Sequence, residues 1–321
     1  MTPSRLDILG IGNAVLDIFA RVDDTFLEAH DLVKGSMTLV DADQAHALHA
    51  DLSPIAEISG GSVANSMVVA ASLGARVAYV GKVRDDDPGD TFARDTRSAG
   101  VGFQTAPTTS GAPTARCIVM VTPDGERTMC TFLGACAELG PEDIDAGLVS
   151  GAAVTYLEGY LWDRPRAKDA FRLAMSLAHS AGRKIALTLS DSFCVERHRA
   201  EFLALIRSHV DVLFTNEDEA RSLYEVATVE EAISRLRDEC EILAVTRGEN
   251  GSYITHGDDF HAIPAQPTTV VDTTGAGDAY AAGFLHALTQ GEDLETCARL
   301  GSTTAARIIS HIGSRPLVAL S

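Results

Sequence analysis

The sequence predicts an α/β protein built on a doubly wound, mainly parallel β-sheet with helices on both faces. Short apolar segments typical of buried strands recur along the chain, and amphipathic segments of helical length separate them. This alternation is typical of a parallel sheet covered by its crossover helices. The predicted strands are residues 6–11, 77–80, 152–157, 184–189, 210–214 and 242–246, and two of the predicted helices are residues 167–180 and 229–239.

Two segments depart from this alternation. Residues 19–58 and 114–132 have the pattern of extended strands, and the second contains a hairpin turn at Pro123-Asp124-Gly125. Irregular insertions into α/β sheets usually lie near the carboxyl ends of the strands, where ligands bind. We therefore expect the two segments to form a small β-rich lid on a single catalytic domain that spans residues 1–321.

The charge of the chain limits its partners. Its 45 Asp and Glu residues against 26 Lys and Arg residues give a formal net charge of −19, which repels nucleic acids and anionic lipid surfaces. No apolar stretch reaches about 18 residues, and the N-terminus lacks the pattern of a signal peptide. We therefore expect a cytoplasmic protein, a monomer or a homodimer, whose partner is a small molecule.

A loop before a predicted helix carries the strongest chemical signal. Residues 271–284 read Val-Asp-Thr-Thr-Gly-Ala-Gly-Asp-Ala-Tyr-Ala-Ala-Gly-Phe. Glycine amides and a helix N-terminus together attract a phosphate group. Asp278 would stand beside that phosphate, where a carboxylate is suited to accept a proton from an attacking hydroxyl. From the spacing alone, Asp278 could equally be a helix cap.

Two further segments have the residues of a hydroxyl-binding site. Gly60 and Gly61 precede an apolar helix that contains Asn65. Paired glycines allow a ligand close to the backbone, and the amide both donates to and accepts from hydroxyls. Asn13 and Asp17 follow the first strand, and a carboxylate can accept two hydrogen bonds from vicinal hydroxyls. The third glycine of a dinucleotide fingerprint is missing there, which argues against a Rossmann cofactor site.

Together these motifs resemble the ribokinase/PfkB family of kinases, and the resemblance covers nearly the whole chain. It implies a ribokinase-like fold and ATP-dependent transfer of phosphate to a hydroxyl group. Asp278 would be the catalytic base, and the backbone amides of residues 275–277 would form the anion hole. The implied anion-hole residues are Gly275, Ala276 and Gly277, and the implied acceptor-binding residues are Asn13, Asp17, Gly60, Gly61 and Asn65.

The same resemblance implies sites for ATP and for cations. Asn216 and Glu219 match the family's NxxE element, in which Glu219 would hold Mg²⁺ through water. The pair is also a helix capping box, and both descriptions can hold together. Asp272 and Thr274 lie on the side of the loop that binds K⁺ in many relatives. The implied ATP-binding residues are Asn216, Thr246, Gly248, Gly251, Gly275 and Gly277.

Further similarities favour the adenosine kinases within this family. They are the opening segment around Asn13, the hairpin that contains Arg127, and the segment that ends at Phe193. By this resemblance, Phe193 and the segment Tyr160-Leu161-Trp162 would enclose a purine, and Arg127 would reach the phosphates as a lid closes. A kinase of ribose, fructose or a related carbohydrate is the alternative. A noncatalytic nucleotide-binding regulator is a remote one, because it would not need Asp278.

Overall fold

A computed structural model describes residues 6–320 of the chain as two β-sheets and the helices that pack against them. The strands are β1 Leu6–Ile11, β2 Val15–Arg21, β3 Met37–Leu39, β4 Pro54–Gly60, β5 Val77–Val80, β6 Gly102–Phe103, β7 Ala115–Val121, β8 Arg127–Phe132, β9 Ala152–Glu158, β10 Lys184–Thr188, β11 Val212–Asn216, β12 Ile242–Thr246, β13 Ser252–His256 and β14 Asp259–Ile263.

The helices alternate with the strands of the larger sheet. They are α1 Asp24–Ala29, α2 Ala42–Asp51, α3 Ser62–Ser72, α4 Asp87–Ser98, α5 Ala146–Gly151, α6 Pro165–Ser180, α7 Ser192–His209, α8 Glu217–Tyr224, α9 Val229–Leu236, α10 Ala276–Gln290 and α11 Leu294–Ile308. Short 3₁₀ helices are Gly134–Glu138, Pro141–Asp143, Gly159–Asp163 and Gly248–Asn250.

The larger sheet has nine strands in the order β14-β13-β12-β11-β10-β9-β1-β5-β6. Strands β12 to β6 in this order are parallel, and β13 and β14 add an antiparallel edge. The chain winds outward from β1 in both directions, so the strand order reverses between β1 and β9. In such sheets, ligands bind in the crevice at the carboxyl ends of the strands beside the reversal. Asn13 follows β1 and Glu158 ends β9, which places both residues at this crevice.

Helices cover both faces of the larger sheet because successive residues of each strand point to opposite faces. Ile8 of β1 belongs to the core that contains Met67 of α3 and Phe284 of α10. Its neighbour Leu9 belongs to the opposite core, with Phe171 of α6. Burial on both faces is the reason that these strands are apolar throughout. The predicted doubly wound α/β architecture is therefore confirmed.

The smaller sheet has five strands in the order β3-β8-β7-β2-β4, and we call it the lid sheet. Its strands come from the two segments that depart from the alternating pattern. The first segment begins before the expected residue 19, since β2 starts at Val15, and β4 continues to Gly60. The chain thus passes from β1 into the lid sheet within a few residues, and Asn13 lies in that connection.

The remaining predicted boundaries agree closely with the structure. The strand expected at residues 210–214 is β11, Val212–Asn216, and the helix expected at residues 229–239 ends at Leu236. All six cysteines are free thiols, and five of them are buried. Over residues 6–320, the structure contains no helix with the length and apolar character needed to cross a membrane.

Candidate active site

The N-terminus of α10 holds the aspartate that the sequence singles out. Gly275 is the N-cap residue with a left-handed backbone (φ 75°), and a Cβ atom there would lie 2.5 Å from the Cβ of Ser314. Conformation and close packing therefore both require glycine at this position. The amides of Ala276 and Gly277 follow at a helix end that attracts anions. Asp278 lies in this first turn, beside the position suited to a phosphate group.

Asp278 is held by α3, which is distant in the sequence. Ser62 Oγ donates a hydrogen bond of 2.6 Å to Asp278 Oδ1. Burial raises the pKa of Asp278 to about 6, and the Ser62 and Asn65 side chains partly oppose that rise. The carboxylate is therefore ionised at neutral pH but is far more basic than an ordinary aspartate. Such a group is suited to accept a proton from a hydroxyl. Nothing in the sequence indicates the role of Ser62 beyond its place beside Gly61.

The predicted acceptor-binding residues meet at the junction of β1, the lid sheet and α3. A Cβ atom on Gly60 would lie 2.1 Å from Asp17 Oδ2, and one on Gly61 would lie 2.1 Å from the carbonyl oxygen of Asn13. The glycine pair therefore allows the Asn13 and Asp17 segments to approach it closely. Burial raises the pKa of Asp17 to about 7, with Arg315 opposing the rise and Asp278 adding to it. The structure thus brings these predicted residues into one site with Asp278.

Glu158 orients this acceptor site, although the sequence analysis did not single it out. Its Oε1 accepts a bond of 2.7 Å from Asn13 Nδ2, and its Oε2 accepts bonds from the backbone N–H groups of Asn13 (3.3 Å) and Val63 (3.1 Å). Burial raises the pKa of Glu158 to about 7, while these hydrogen bonds oppose the rise. The sequence feature that could have indicated Glu158 is a glutamate at the end of a predicted buried strand. That strand lies beside the reversal of strand order, where ligands bind.

Two adjoining cavities lie on the other side of the α10 N-terminus. The larger has a volume of about 770 Å³, within the usual range for small-molecule sites, and Thr246, Gly248 and Gly251 line it. The smaller, of about 220 Å³, is lined by Asn216, Glu219 and Asp278. Both cavities share five lining residues, namely Thr246, Thr273, Ala276, Gly277 and Tyr280. The structure therefore brings the predicted ATP-binding residues to one continuous space that ends at Asp278.

The Asn216–Glu219 pair forms the capping box of α8. Asn216 Oδ1 accepts a 2.9 Å bond from the Glu219 N–H, and both Glu219 oxygens accept bonds from Asn216, at 2.8 and 3.0 Å. Burial raises the pKa of Glu219 to about 7. Within residues 6–320 no cluster of three or more metal-ligating side chains occurs. Because its oxygens already accept protein bonds beside the smaller cavity, Glu219 fits a water-mediated contact with Mg²⁺ better than a direct one.

Arg127 connects the lid sheet to the loop before α10. Its Nη2 lies 2.6 Å from Asp272 Oδ2, and its Nη1 donates to Thr274 Oγ1. Asp272 also accepts bonds from the N–H groups of Thr274 (2.9 Å) and Gly313 (2.7 Å). Burial raises the pKa of Asp272, but the bonds from Arg127, Gly313 and Thr274 outweigh it and lower the pKa overall. Arg127 therefore contacts the loop at the residues predicted to bind a monovalent cation.

A family model described as the pfkB family carbohydrate kinase matches residues 32–319. The chain belongs to this family. An adenosine kinase structure from Sinorhizobium meliloti is 51% identical, with a TM-score of 0.93 and coverage of 99% of this chain and 98% of that one. A probable sugar kinase structure from Rhizobium etli is 49% identical, with a TM-score of 0.94 and coverage of 100% and 97%. The 5-dehydro-2-deoxygluconokinase of Shouchella clausii is 29% identical over 278 residues, which are 82% of this chain and 84% of that protein.

Membership of the pfkB family makes the chain an ATP-dependent kinase of a sugar or a nucleoside, with a ribokinase-like fold. The geometry agrees with such a reaction. The larger cavity offers space for a nucleotide, the helix N-terminus attracts its phosphates, and Asp278 separates that space from the hydroxyl-binding residues. Phosphate transfer between two bound substrates requires the attacking hydroxyl and the leaving oxygen of the nucleotide to lie roughly in line, and this arrangement allows it.

Two residues of the predicted purine site require correction. Leu161 is 2% exposed and belongs to the core that also contains Phe171. Trp162 packs on Phe171 and donates from its indole N–H to Glu201, so it belongs to the same core. The 3₁₀ helix Gly159–Asp163 directs both side chains inward, into this core. Phe193 differs, since it is 63% exposed in the first turn of α7.

Proposed function

We propose that this kinase transfers the γ-phosphoryl group of ATP to the 5′-hydroxyl of adenosine or a closely related purine nucleoside, with Asp278 as the catalytic base. The position of the Asp278 carboxylate carries this proposal. It lies between the nucleotide-sized cavity and the hydroxyl-binding residues, and its pKa of about 6 leaves it ionised at neutral pH. The attacking hydroxyl would lose its proton to Asp278 as the bond to phosphorus forms.

The charge that develops on the transferred group needs donors that are already in place. The N–H groups of residues 275–277 would supply them at the N-terminus of α10, where the helix dipole adds favourable potential. Arg127 would add a positive charge from the lid sheet when it leaves Asp272 for the phosphates. Glu219 and Asn216 would hold the Mg²⁺ that accompanies ATP through water, and Asp272 and Thr274 would contribute to a K⁺ site.

The lid sheet supports an acceptor longer than a free sugar. Asp17 pairs with Cys117, Cys117 with Thr131, and Thr131 with Leu39 across four neighbouring strands. Side chains opposite one another on neighbouring strands share a face, so these four form one row. Three strand spacings make the row about 14 Å long. This length accommodates a ribosyl group at Asp17 followed by a flat base toward Leu39.

The far end of this row has the character of a base-binding surface. Leu39 and Thr131 line a cavity of about 380 Å³ together with Leu133. Leu39 is 46% exposed, so it presents apolar surface that a purine could cover. Phe193 offers a second exposed apolar face, at the end of the loop that follows β10. A free sugar would prefer polar neighbours at these positions, whereas a base gains by packing on apolar and aromatic side chains.

A carbohydrate acceptor is the second candidate. The similarity of the chain to a 5-dehydro-2-deoxygluconokinase and to a probable sugar kinase favours it. Both candidates share Asp278, ATP and the hydroxyl-binding residues. They differ at the base-binding end of the row.

Replacement of Phe193 by Ala tests the proposed acceptor. If Phe193 stacks on the purine, the Phe193→Ala variant should lose about 1–3 kcal/mol in kcat/KM for adenosine and keep any ribose activity nearly unchanged. Phe260→Ala is a matched control, since Phe260 is 52% exposed and packs on Tyr253 of the neighbouring strand β13. Equal losses for adenosine and ribose would show that Phe193 only supports packing.

A further inference from the structure

The segment after α11 contacts the phosphate side and the acceptor side of the site within three residues. The Gly313 N–H donates 2.7 Å to Asp272 Oδ2, and Ser314 packs against Gly275. Arg315 then reaches away from this loop toward β4 and α3. Its own carbonyl oxygen lies 2.9 Å from His311 Nε2, which closes the turn. The segment therefore fixes where the Arg315 guanidinium stands relative to both substrates.

Arg315 makes two hydrogen bonds to residues of the acceptor site. Its Nε donates 3.0 Å to Asn65 Oδ1, and its Nη2 donates 3.4 Å to the carbonyl oxygen of Gly60. A guanidinium group has donors and no acceptor, so Asn65 must present its oxygen to Arg315. The NH₂ group of Asn65 is then directed elsewhere, and the amide lowers the pKa of Asp278. The orientation of this amide thus depends on Arg315.

Arg315 also compensates the negative charge of the acceptor site. The charged or titratable groups that influence it are Asp17, Asp95 and Tyr79. Burial lowers the pKa of Arg315 to about 10, which still leaves the group charged at neutral pH. Asp17 in turn is influenced by Arg315 and by Asp278, while its own charge raises the pKa of the Cys117 thiol on the adjacent strand. A cation at this position therefore opposes protonation of Asp17.

We propose that Arg315 is a positioning residue of the acceptor site, which fixes the orientation of the Asn65 amide through its hydrogen bond and places a positive charge beside Asp17 that favours the ionised carboxylate. This inference rests on the acceptor site of the proposed function, but it does not depend on whether the acceptor is a nucleoside or a sugar. Loss of Arg315 allows Asn65 to turn its oxygen inward. It also removes the charge that lowers the pKa of Asp17, so a larger fraction of this carboxyl is protonated at pH 7 and offers fewer acceptors to the vicinal hydroxyls.

The test compares Arg315→Gln with Arg315→Lys and with a control. At pH 7, Arg315→Gln should raise the KM of the acceptor about tenfold or more, as expected for lost hydrogen bonds to a charged group, and leave the KM of ATP within about twofold. The pH at which its acceptor KM improves should lie above that of the wild type, because Asp17 ionises at a higher pH without the positive charge of Arg315. Arg315→Lys should have the wild-type pH dependence but bind the acceptor less tightly than the wild type. Lysine supplies the positive charge but lacks the several planar N–H donors of a guanidinium group.

Arg307→Gln is the control, because Arg307 is exposed in the last turn of α11 and donates to the carbonyl oxygen of Leu320. It removes one positive charge from the same region and should leave both KM values unchanged. Equal changes in the two KM values of the Arg315 variants, or an unchanged pH dependence in Arg315→Gln, would contradict the inference. If Arg315→Gln does not fold, an acceptor KM of Arg315→Lys equal to that of the wild type would contradict it as well.

Two further variants separate failure of this inference from failure of the proposed acceptor site. Asp17→Asn and Asn65→Ala should each raise the acceptor KM more than the ATP KM. If they do so while Arg315→Gln does not, the role of Arg315 is wrong and the acceptor site stands. If none of the three changes the acceptor KM, the acceptor lies elsewhere and the assignment of the site itself is wrong.

Discussion

Replacement of Asp278 by Asn should stabilise the fold while removing most of the activity. Burial raises the pKa of this carboxyl from 3.8 to about 6, so the folded protein holds the ionised form less favourably than the unfolded chain does. This difference corresponds to at most about 3 kcal/mol at pH 8 and about half of that at pH 5. Asn keeps the shape without the charge. Turnover should fall about a hundredfold or more, because no base remains.

The sign of the pH dependence makes this prediction specific. Because the pKa is raised in the folded state, the cost of ionising Asp278 is small below about pH 4, grows between about pH 4 and pH 6, and stays constant above that range. Urea unfolding of the wild type and of Asp278→Asn at pH 5 and pH 8 measures the difference, and coupled ADP release measures turnover. Asp258→Asn changes an exposed aspartate and should alter neither quantity appreciably.

A variant that loses activity without gaining stability at pH 8 would refute the reasoning about burial, and near-normal turnover of Asp278→Asn would refute its role as the base. The two measurements are independent, since the first concerns the energy of the folded protein and the second concerns the reaction. Agreement of both would tie the catalytic role of the carboxylate to its environment.

Two more outcomes are expected. Glu158→Gln should raise the acceptor KM about tenfold and leave the KM of ATP within about twofold, because an amide can accept at only one of the two positions that Asn13 and Val63 now occupy. Initial rates with both substrates varied would check this, and equal changes in both KM values would contradict it. K⁺ should accelerate turnover relative to tetramethylammonium at equal ionic strength, since Asp272 and Thr274 offer oxygen ligands beside the anion hole; identical rates would count against that site.

The sequence predicts most of the fold because the strands of the larger sheet are buried on both faces. Burial makes them short apolar runs, and Gly275 and Gly61 mark loops whose left-handed backbone needs glycine. The predicted start of the lid sheet at residue 19 is too late, because β2 begins at Val15 after only a short connection from β1. Its residues are also apolar and buried, so no change of pattern marks the passage from one sheet to the other.

The parts of the site that sequence reasoning missed depend on contacts between distant segments. Glu158 binds Asn13 across 145 positions of the chain, and Arg315 binds Asn65 across 250. No local pattern indicates such partners, since Glu158 is the last residue of β9 and Arg315 lies in the loop after α11, where charged residues are common. Leu161 shows the opposite error. The family resemblance implies a ligand contact for this residue, but the short 3₁₀ helix after β9 turns its side chain into the core.

The most direct test of the central claim is the specificity constant of the purified protein for a panel of acceptors at saturating ATP and Mg²⁺. The panel would contain adenosine, ribose, fructose and 5-dehydro-2-deoxygluconate, with ADP release as the signal and ³¹P NMR to identify the phosphorylated hydroxyl. The proposed function predicts the highest kcat/KM for adenosine and a 5′-monophosphate as the product. A higher kcat/KM for any free sugar would contradict the nucleoside assignment. If none of the four acceptors supports ADP release, the acceptor site formed by Asn13, Asp17 and Asn65 is contradicted.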